Sequence, residues 1–332
     1  MNRTFIYESH LGLGSKFVNF SGWEMPIHYG SQINEHNSVR NSAGIFDVSH
    51  MNIFDFYGVE AKEFMRYVLT NDVNKIDDGT ALYSVITNNE GGIIDDLIVY
   101  KFNNEKFRVV SNCSTFSDVN NFFESNIIKF DCEFLHKPNL GILAIQGPES
   151  EIALENILGI ELSNCKSFSF TERNELFVSR TGYTGELGYE IYVPPSHALK
   201  LWQKFFIYSR DFDLVPYGTE TMHLLRAEKG YIIVGQDTDG TVTPLDLNLN
   251  WMIGKKKKDF IGKRSLTRTD IVRETRKQLV GLVPIDKTLG IEEGQHVIEQ
   301  KDLSLPIKDP VDMLGHVTSS YFSPNLNHSV AM

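Results

Sequence analysis

The run Gly91-Gly92-Ile93-Ile94-Asp95-Asp96-Leu97-Ile98-Val99-Tyr100 constrains this chain more than any other stretch. A glycine pair opens it, an apolar β-type segment closes it, and two adjacent carboxylates sit inside. Successive side chains of a strand point to opposite faces, so one aspartate is expected to face solvent or a loop and the other inward. An inward carboxylate is costly to bury as an ion unless something pairs with it, and a basic nitrogen of a ligand in a cavity would supply that partner. The plainer alternative is an edge-strand pair of aspartates receiving backbone N–H bonds at a turn. These residues by themselves do not separate the two.

At 332 residues the chain can bury a substantial core, and its length favours two or three domains. A hydrophobic content of 41% and a charged content of 23% are those of an ordinary globular protein. The net charge of −11 implies no broad basic surface, which argues against nucleic acid as a partner. The three cysteines, Cys113, Cys132 and Cys165, are odd in number and form no C-x-x-C pair. They fit a reducing compartment and argue against a disulfide frame or a zinc site. The N-terminus lacks the apolar region of a signal peptide and the Arg- and Ser-rich character of a transit sequence. With no apolar run of ~18 residues, no membrane partner is expected, and the chain reads as a cytoplasmic protein.

The periodicity predicts a helix over 59–70 with Phe64, Met65 and Val68 inward, and strands at 81–87, 93–101 and 106–112. A helix over 117–128 with Ser117 as N-cap and a strand near 131–136 complete an α+β sandwich. Next come a strand at 140–145, a helix from Pro148 to about Leu158, and strands near 175–180 and 187–193. Helices are expected over 195–210 and 218–230. After Trp251, short apolar runs such as 278–284 and 314–321 suggest a small all-β domain. The lysine run 255–258 reads first as a solvated loop.

Several catalytic signatures are missing: there is no phosphate loop, no H-E-x-x-H and no G-x-S-x-G. Gly12-Leu13-Gly14 is only half a dinucleotide fingerprint, so nicotinamide and flavin binding are rejected. The ten histidines are scattered, and no metal site is expected. Thr181-Gly182-Tyr183-Thr184-Gly185-Glu186 forms a loop rich in glycine and hydroxyls, and Glu190 follows in a strand with Tyr189 and Ile191 on its opposite face.

Three upstream segments join these: Phe20-Ser21-Gly22-Trp23-Glu24-Met25-Pro26, Phe46-Asp47-Val48-Ser49-His50-Met51 and Ala81-Leu82-Tyr83-Ser84. Together with Asp95-Asp96, Arg180 to Glu190 and Gly235-Gln236-Asp237, in this order, they resemble the aminomethyltransferase family, whose founding member is the T-protein of the glycine cleavage system. The resemblance runs from Phe5 to Met332. It implies an α+β fold, a three-domain cloverleaf with folate in the central hole. The expected domains are a discontinuous folate-binding domain of residues 1–52 and 138–245, an inserted sandwich of residues 53–137, and a C-terminal β-barrel domain of residues 246–332. The implied activity moves a one-carbon unit from an aminomethyl-lipoyl carrier (the H-protein) to tetrahydrofolate, with release of ammonia. The family's catalytic aspartate maps onto Asp96, and its pterin contacts map onto Met51, Tyr83, Asn112, Tyr183, Glu190 and Tyr231. A carboxylate such as Glu190 suits the paired N–H donors of a pteridine edge, and Tyr83 and Tyr183 would offer flat surfaces to the ring.

Two departures accompany the resemblance. T-proteins usually carry Gly-Ala-Arg-Asp at the helix that here opens Gly218-Thr219-Glu220-Thr221, so the usual arginine is replaced. Arg226 or the lysines 255–258 are expected to supply that cation toward the folate carboxylates. That helix, with Gly235 to Pro244, Lys256 to Ser265 and Gly315 to Tyr321, is more similar to the folate domain of sarcosine oxidase α subunits. A folate module that takes its one-carbon unit from a methylated amine, or a non-catalytic folate-binding protein, is therefore the alternative expectation. The chain also stops at Met332, where relatives continue with further strands, so its barrel is expected to be truncated.

Overall fold

A computed structural model describes residues 1–173, 176–209, 213–300, 306 and 310–332. Its centre is two β-sheets facing one another. Strands β1 (Lys16–Phe20) and β2 (Trp23–His28) form a separate ribbon between helices α1 (Tyr7–Gly12) and α2 (Gln32–Asn41), and lead into β3 (Ala43–Asp47). The chain then builds one complete sheet before returning. That sheet uses β4 (Asn52–Tyr57), β5 (Thr80–Thr87), β6 (Ile93–Asn103), β7 (Lys106–Ser111) and β8 (Glu133–His136), in the spatial order β5-β6-β7-β4-β8. All its pairings are antiparallel. Helices α3 (Ala61–Val68) and α4 (Phe116–Ile127) belong to the same stretch.

The second sheet uses β9 (Gly141–Gln146), β10 (Phe170–Arg173), β11 (Leu176–Ser179), β12 (Gly188–Val193) and β13 (Leu214–Pro216) with the earlier β3. Its order is β10-β11-β12-β9-β3-β13, antiparallel except where β13 runs parallel to β3. Helices α5 (Ser150–Leu158) and α6 (Pro195–Tyr208) cover its outer face, and α7 (Thr219–Glu228) follows β13.

Three apolar layers explain this stacking. Phe54, Phe56, Phe64, Phe107 and Phe123 fill the space between the first sheet and α3/α4. Ile45, Leu143, Ile145, Tyr189, Ile191, Trp202 and Phe205 fill that between the second sheet and α5/α6. Between the sheets lie Ile53, Tyr100 and Val110 from one, and Ile142, Phe177 and Tyr192 from the other. Each large side chain buried in these layers contributes about 1.5–3 kcal/mol relative to exposure, so both faces of both sheets are committed. Strands covered on two faces read as unbroken apolar runs, which is why Asp95 and Asp96 stand out.

Some boundaries differ from the sequence expectation. Helix α4 starts at Phe116 with Thr115 as N-cap, and Ser117 lies inside it. Helix α5 starts at Ser150, with Pro148 ahead of the cap residue Glu149. The expected end of α6 at Arg210 lies outside the described residues. Beyond α7 come a short helix α8 (Thr269–Val272) and two two-stranded ladders, β14 (His296–Val297) with β15 (Gly315–His316) and β16 (Ser320–Ser323) with β17 (His328–Ala331). The expected strand at 278–284 appears among the described residues as a single bridge, Leu282 to Ala331. Among the described residues no helix is long and apolar enough to cross a membrane.

Candidate active site between the two sheets

Strand β6 sorts its residues by parity. Leu97 and Val99 point toward α3 and α4, whereas Ile98 and Tyr100 point toward the second sheet. Asp95 shares the odd face and is fully buried. It accepts from the backbone N–H of Asn112 at 3.1 Å, from Asn112 Nδ2 at 2.7 Å and from Thr115 Oγ1 at 2.8 Å. Thr115 thus gives its hydroxyl to the aspartate rather than to the start of α4. Asp96 lies on the even face and is only half-buried. It accepts from Tyr83 Oη at 2.7 Å and from Asn112 Nδ2 at 2.7 Å.

Both aspartates thus face inward, Asp95 beneath α3 and α4 and Asp96 toward the second sheet. The odd face is sealed by two helices, so Asp95 is the enclosed member and its ligands are protein donors. Burial raises the pKa of both carboxyls. For Asp95 burial dominates and the charge of Asp96 adds to it, while the donors from Asn112 and Thr115 oppose. For Asp96 burial again dominates, opposed by Tyr83 and Asn112, with Asp237 pushing further upward.

The glycine pair ahead of these aspartates serves a backbone approach. A Cβ on Gly92 would stand 1.8 Å from the Gly240 carbonyl oxygen. That contact lets Ile93 N–H donate to Val242 O at 2.8 Å and Asn88 Nδ2 donate to Gly240 O at 3.1 Å. The segment after α7 is thereby pinned beside the start of β6.

Glu190 enters from the other sheet. In β12, Tyr189 and Ile191 are fully buried toward α5 and α6, which turns Glu190 and Tyr192 toward the first sheet. Three hydroxyls donate to Glu190: Thr181 Oγ1 at 2.8 Å, Tyr100 Oη at 3.3 Å and Tyr192 Oη at 3.4 Å. All three end on Oε2. Burial raises the pKa of this carboxyl, and these hydroxyl bonds oppose the rise.

The Tyr183 hydroxyl donates to Ile232 O, and its ring stacks on the exposed Tyr231 at 5.8 Å with 27° between the planes. Electrostatic coupling joins the Tyr183 hydroxyl to Asp96, Arg226 and Asp237. Met51 is half-buried against the layer between the sheets. Asn112 joins both aspartates, and its carbonyl accepts from Asn52 Nδ2. Tyr83, Asn112 and Asp96 therefore form one bonded group, and Tyr183 with Tyr231 a second.

Arg226 does not present the cation expected of it. Its side chain is fully buried, donating to Tyr231 O and Asp237 Oδ2, each at 2.9 Å, and to Ser319 Oγ at 2.6 Å. It ties α7 to the following segment and to the C-terminal region. The lysine run is also divided. Lys257 is 2% exposed and donates to Leu69 O and Asn71 O, while Lys255, Lys256 and Lys258 are exposed. Lys257 is thus neither part of a solvated loop nor of a cationic rim.

Sequence reasoning gave no role to four neighbours. Asp237 anchors Arg226 and acts electrostatically on Asp96; it stood in the Gly235-Gln236-Asp237 motif with no partner in view. Trp251 lies 6.3 Å from the Tyr83 ring and is 60% exposed. His50 and His223 flank Phe20 at 5.4 and 5.9 Å, and burial holds each imidazole down at about 4. His50 stood in the Phe46–Met51 segment with no role given to it, and no local pattern distinguished His223 from the other histidines.

Comparison with known proteins bears on this site. The family model described as "GCVT N-terminal domain" matches residues 6–257, and "Glycine cleavage T-protein C-terminal barrel domain" matches residues 277–332. The chain is 38% identical to an aminomethyltransferase of Alcanivorax borkumensis over 335 residues, covering 100% of this chain and 88% of that protein. It is 38% identical to an aminomethyltransferase of Halothermothrix orenii, covering 100% and 91% respectively. The crystal structure of glycine cleavage system aminomethyltransferase T from Bartonella henselae superposes with a TM-score of 0.90 at 30% identity, covering 99% of this chain and 88% of that one. The chain belongs to the aminomethyltransferase family of glycine cleavage T-proteins.

Proposed function

We propose that the residues gathered around Asp96, Tyr83, Tyr183 and Glu190, beside the packed layer between the sheets, bind tetrahydrofolate, and that Asp96 manages the proton when a one-carbon unit arrives from the aminomethyl-lipoyl arm of a carrier protein and ammonia departs. The observation that carries this reading is the bonding of Glu190. Among the described residues its three donors all reach Oε2, so Oε1 remains to accept from the N–H edge of a pteridine. A half-buried carboxylate with one saturated oxygen is an oriented acceptor rather than a surface charge.

Each remaining group has a task in this reading. Tyr83 and Asn112 hold the two oxygens of Asp96 from opposite sides, which limits its rotation. Its raised pKa brings it closer to working pH, where a carboxylate is a better proton acceptor. Tyr183 and Tyr231 give a flat wall, and Met51 an apolar contact. Joint binding of folate and carrier arm supplies the proximity on which most of the rate depends. We propose the domain limits 1–52 with 138–245, 53–137 and 246–332, because the second sheet then lies wholly in one unit and the first sheet, apart from Asn52 at the start of β4, in another.

The test is reconstitution of glycine cleavage with a lipoylated carrier protein, together with calorimetric titration of tetrahydrofolate. Saturable folate binding with carrier-dependent ammonia release is expected. Folate binding without carrier-dependent turnover would redirect the donor to a methylated amine or leave a binding protein. No folate binding at all removes the reading.

A further inference from the structure

Behind the Tyr183 loop sits a cation that the reaction itself does not call for. Arg40 lies in α2 with its side chain 5% exposed. Its Nη1 donates to Thr184 O at 2.6 Å and to Glu186 Oε1 at 2.8 Å. Its Nε and Nη2 donate to Glu228 Oε2 at 3.0 and 2.6 Å, and Nη2 also reaches Leu225 O at 3.0 Å. Glu228, in the last turn of α7, is gripped as well by His36 Nε2 at 3.0 Å and by Ser323 Oγ of β16. The ordinary reading of such a cluster is a buried ion network that holds helices together. Two of the five bonds, however, leave the helices and end on the loop on either side of Gly185.

That loop carries Tyr183 one residue before Thr184, and its far end runs into β12 and Glu190. It is held in front by the Tyr183 hydroxyl on Ile232 O and at its base by Gln146, which accepts from Thr184 Oγ1 at 3.0 Å. A Cβ on Gly182 or Gly188 would stand 2.0 or 2.3 Å from the Gln146 amide, so the loop packs on that side chain without slack. Arg40 supplies the charged contact from the opposite side. A planar guanidinium serves the carbonyl, the carboxylate and Glu228 together, which an ammonium point charge cannot reproduce.

We infer that Arg40 is a positioning residue for tetrahydrofolate: anchored on Glu228, it fixes the loop of residues 181–187 and so the placement of Tyr183 and the approach to Glu190. This rests on the folate reading of the site. Arg40 touches no reacting atom, so its loss acts on how well the ring is held rather than on proton transfer at Asp96.

The experiment compares Arg40→Lys and Glu186→Gln with the wild type by steady-state kinetics and by amide hydrogen exchange of the unliganded protein. Arg40→Lys is expected to raise KM for tetrahydrofolate about tenfold, the scale of one charge-assisted hydrogen bond, with kcat at saturating folate within about twofold. Exchange at residues 182–187 should quicken while the strands keep wild-type protection. Glu186→Gln, which leaves Arg40 and Glu228 paired, should shift both readouts the same way by less, and it carries the test if Arg40→Lys does not fold. Unchanged folate KM and unchanged loop exchange overturn the inference, as does a kcat loss with KM untouched. Wild-type protein that binds no tetrahydrofolate overturns the folate reading and the positioning role with it. Normal wild-type binding with variants that match it overturns the positioning role alone.

Discussion

Asp95 and Asp96, consecutive in one strand and facing opposite ways, are bridged by a single amide: Asn112 Nδ2 donates 2.7 Å to each. Asn112 also gives its backbone N–H to Asp95, so the enclosed aspartate anchors the asparagine that orients its more accessible neighbour. The pair divides its labour by depth. Asp96→Asn should lower turnover by ~10²-fold or more with little change in folate affinity, because it removes the charge and keeps the shape. Asp95→Asn should mainly lower stability, since it leaves protein donors facing an amide that also donates. Steady-state kinetics and denaturant melts on both variants check this, and a greater turnover loss in Asp95→Asn would exchange the roles.

The pH dependence follows from the same pair. Both carboxyls have raised pKa values in the folded state, with Asp95 pushed up to about 8 by burial first and the charge of Asp96 second. A raised carboxyl means that the folded state prefers the proton. The stabilisation is therefore fully present below the unfolded value of 3.8 and is lost as pH rises through the raised folded value of each carboxyl, about 8 for Asp95. Unfolding free energy measured across that window should fall with pH, and Asp95→Asn should flatten the slope. A slope that steepens in the variant would contradict the assignment.

Glu190 should govern binding rather than chemistry. Glu190→Gln replaces an acceptor oxygen with an amide that opposes the ligand's donors, and a charged hydrogen bond of this kind is worth about 1.5–3 kcal/mol. Calorimetry should show that loss in tetrahydrofolate affinity, with kcat at saturating folate near wild type. Unchanged affinity would remove Glu190 from the site.

Much of this arrangement was legible in one dimension because it rests on local periods. The helices α3, α4, α6 and α7 and the strands β5 to β7 follow apolar spacing, whereas the glycine pair ahead of Asp95 marked only the opening of the run until Gly240 was seen against it. What escaped depends on partners far along the chain. Which aspartate is enclosed depends on α3 and α4 covering the odd face of β6, a packing choice that alternation cannot reveal. The hydroxyls of Tyr100 and Tyr192 meet Glu190 only after two sheets close, with Tyr100 90 positions away. Arg226 stood at a helical position open to either a ligand or an internal partner, and Asp237 with Ser319 decides for the second. The cap read from the sequence was Ser117, whereas Thr115 holds that place and gives its hydroxyl to Asp95, a partner 20 positions away.

Lys257 gives the sharpest contrast within a uniform sequence. Four consecutive lysines look alike, yet this one folds its ammonium under the chain between Leu69 O and Asn71 O, beside the first sheet. Those carbonyls follow α3, so the bond fastens the segment after Trp251 to the start of the inserted stretch. Lys257→Ala removes both donors and leaves two enclosed carbonyls without them, which costs about 1–3 kcal/mol. Lys256→Ala, at an exposed position, should stay within about 0.5 kcal/mol of wild type. Chemical denaturation of the two variants separates them. If both behave alike, the run is a solvated loop throughout. If only Lys257→Ala is destabilised, any preference for polyglutamylated folate must come from the exposed lysines at 255, 256 and 258, and it should fade as salt rises.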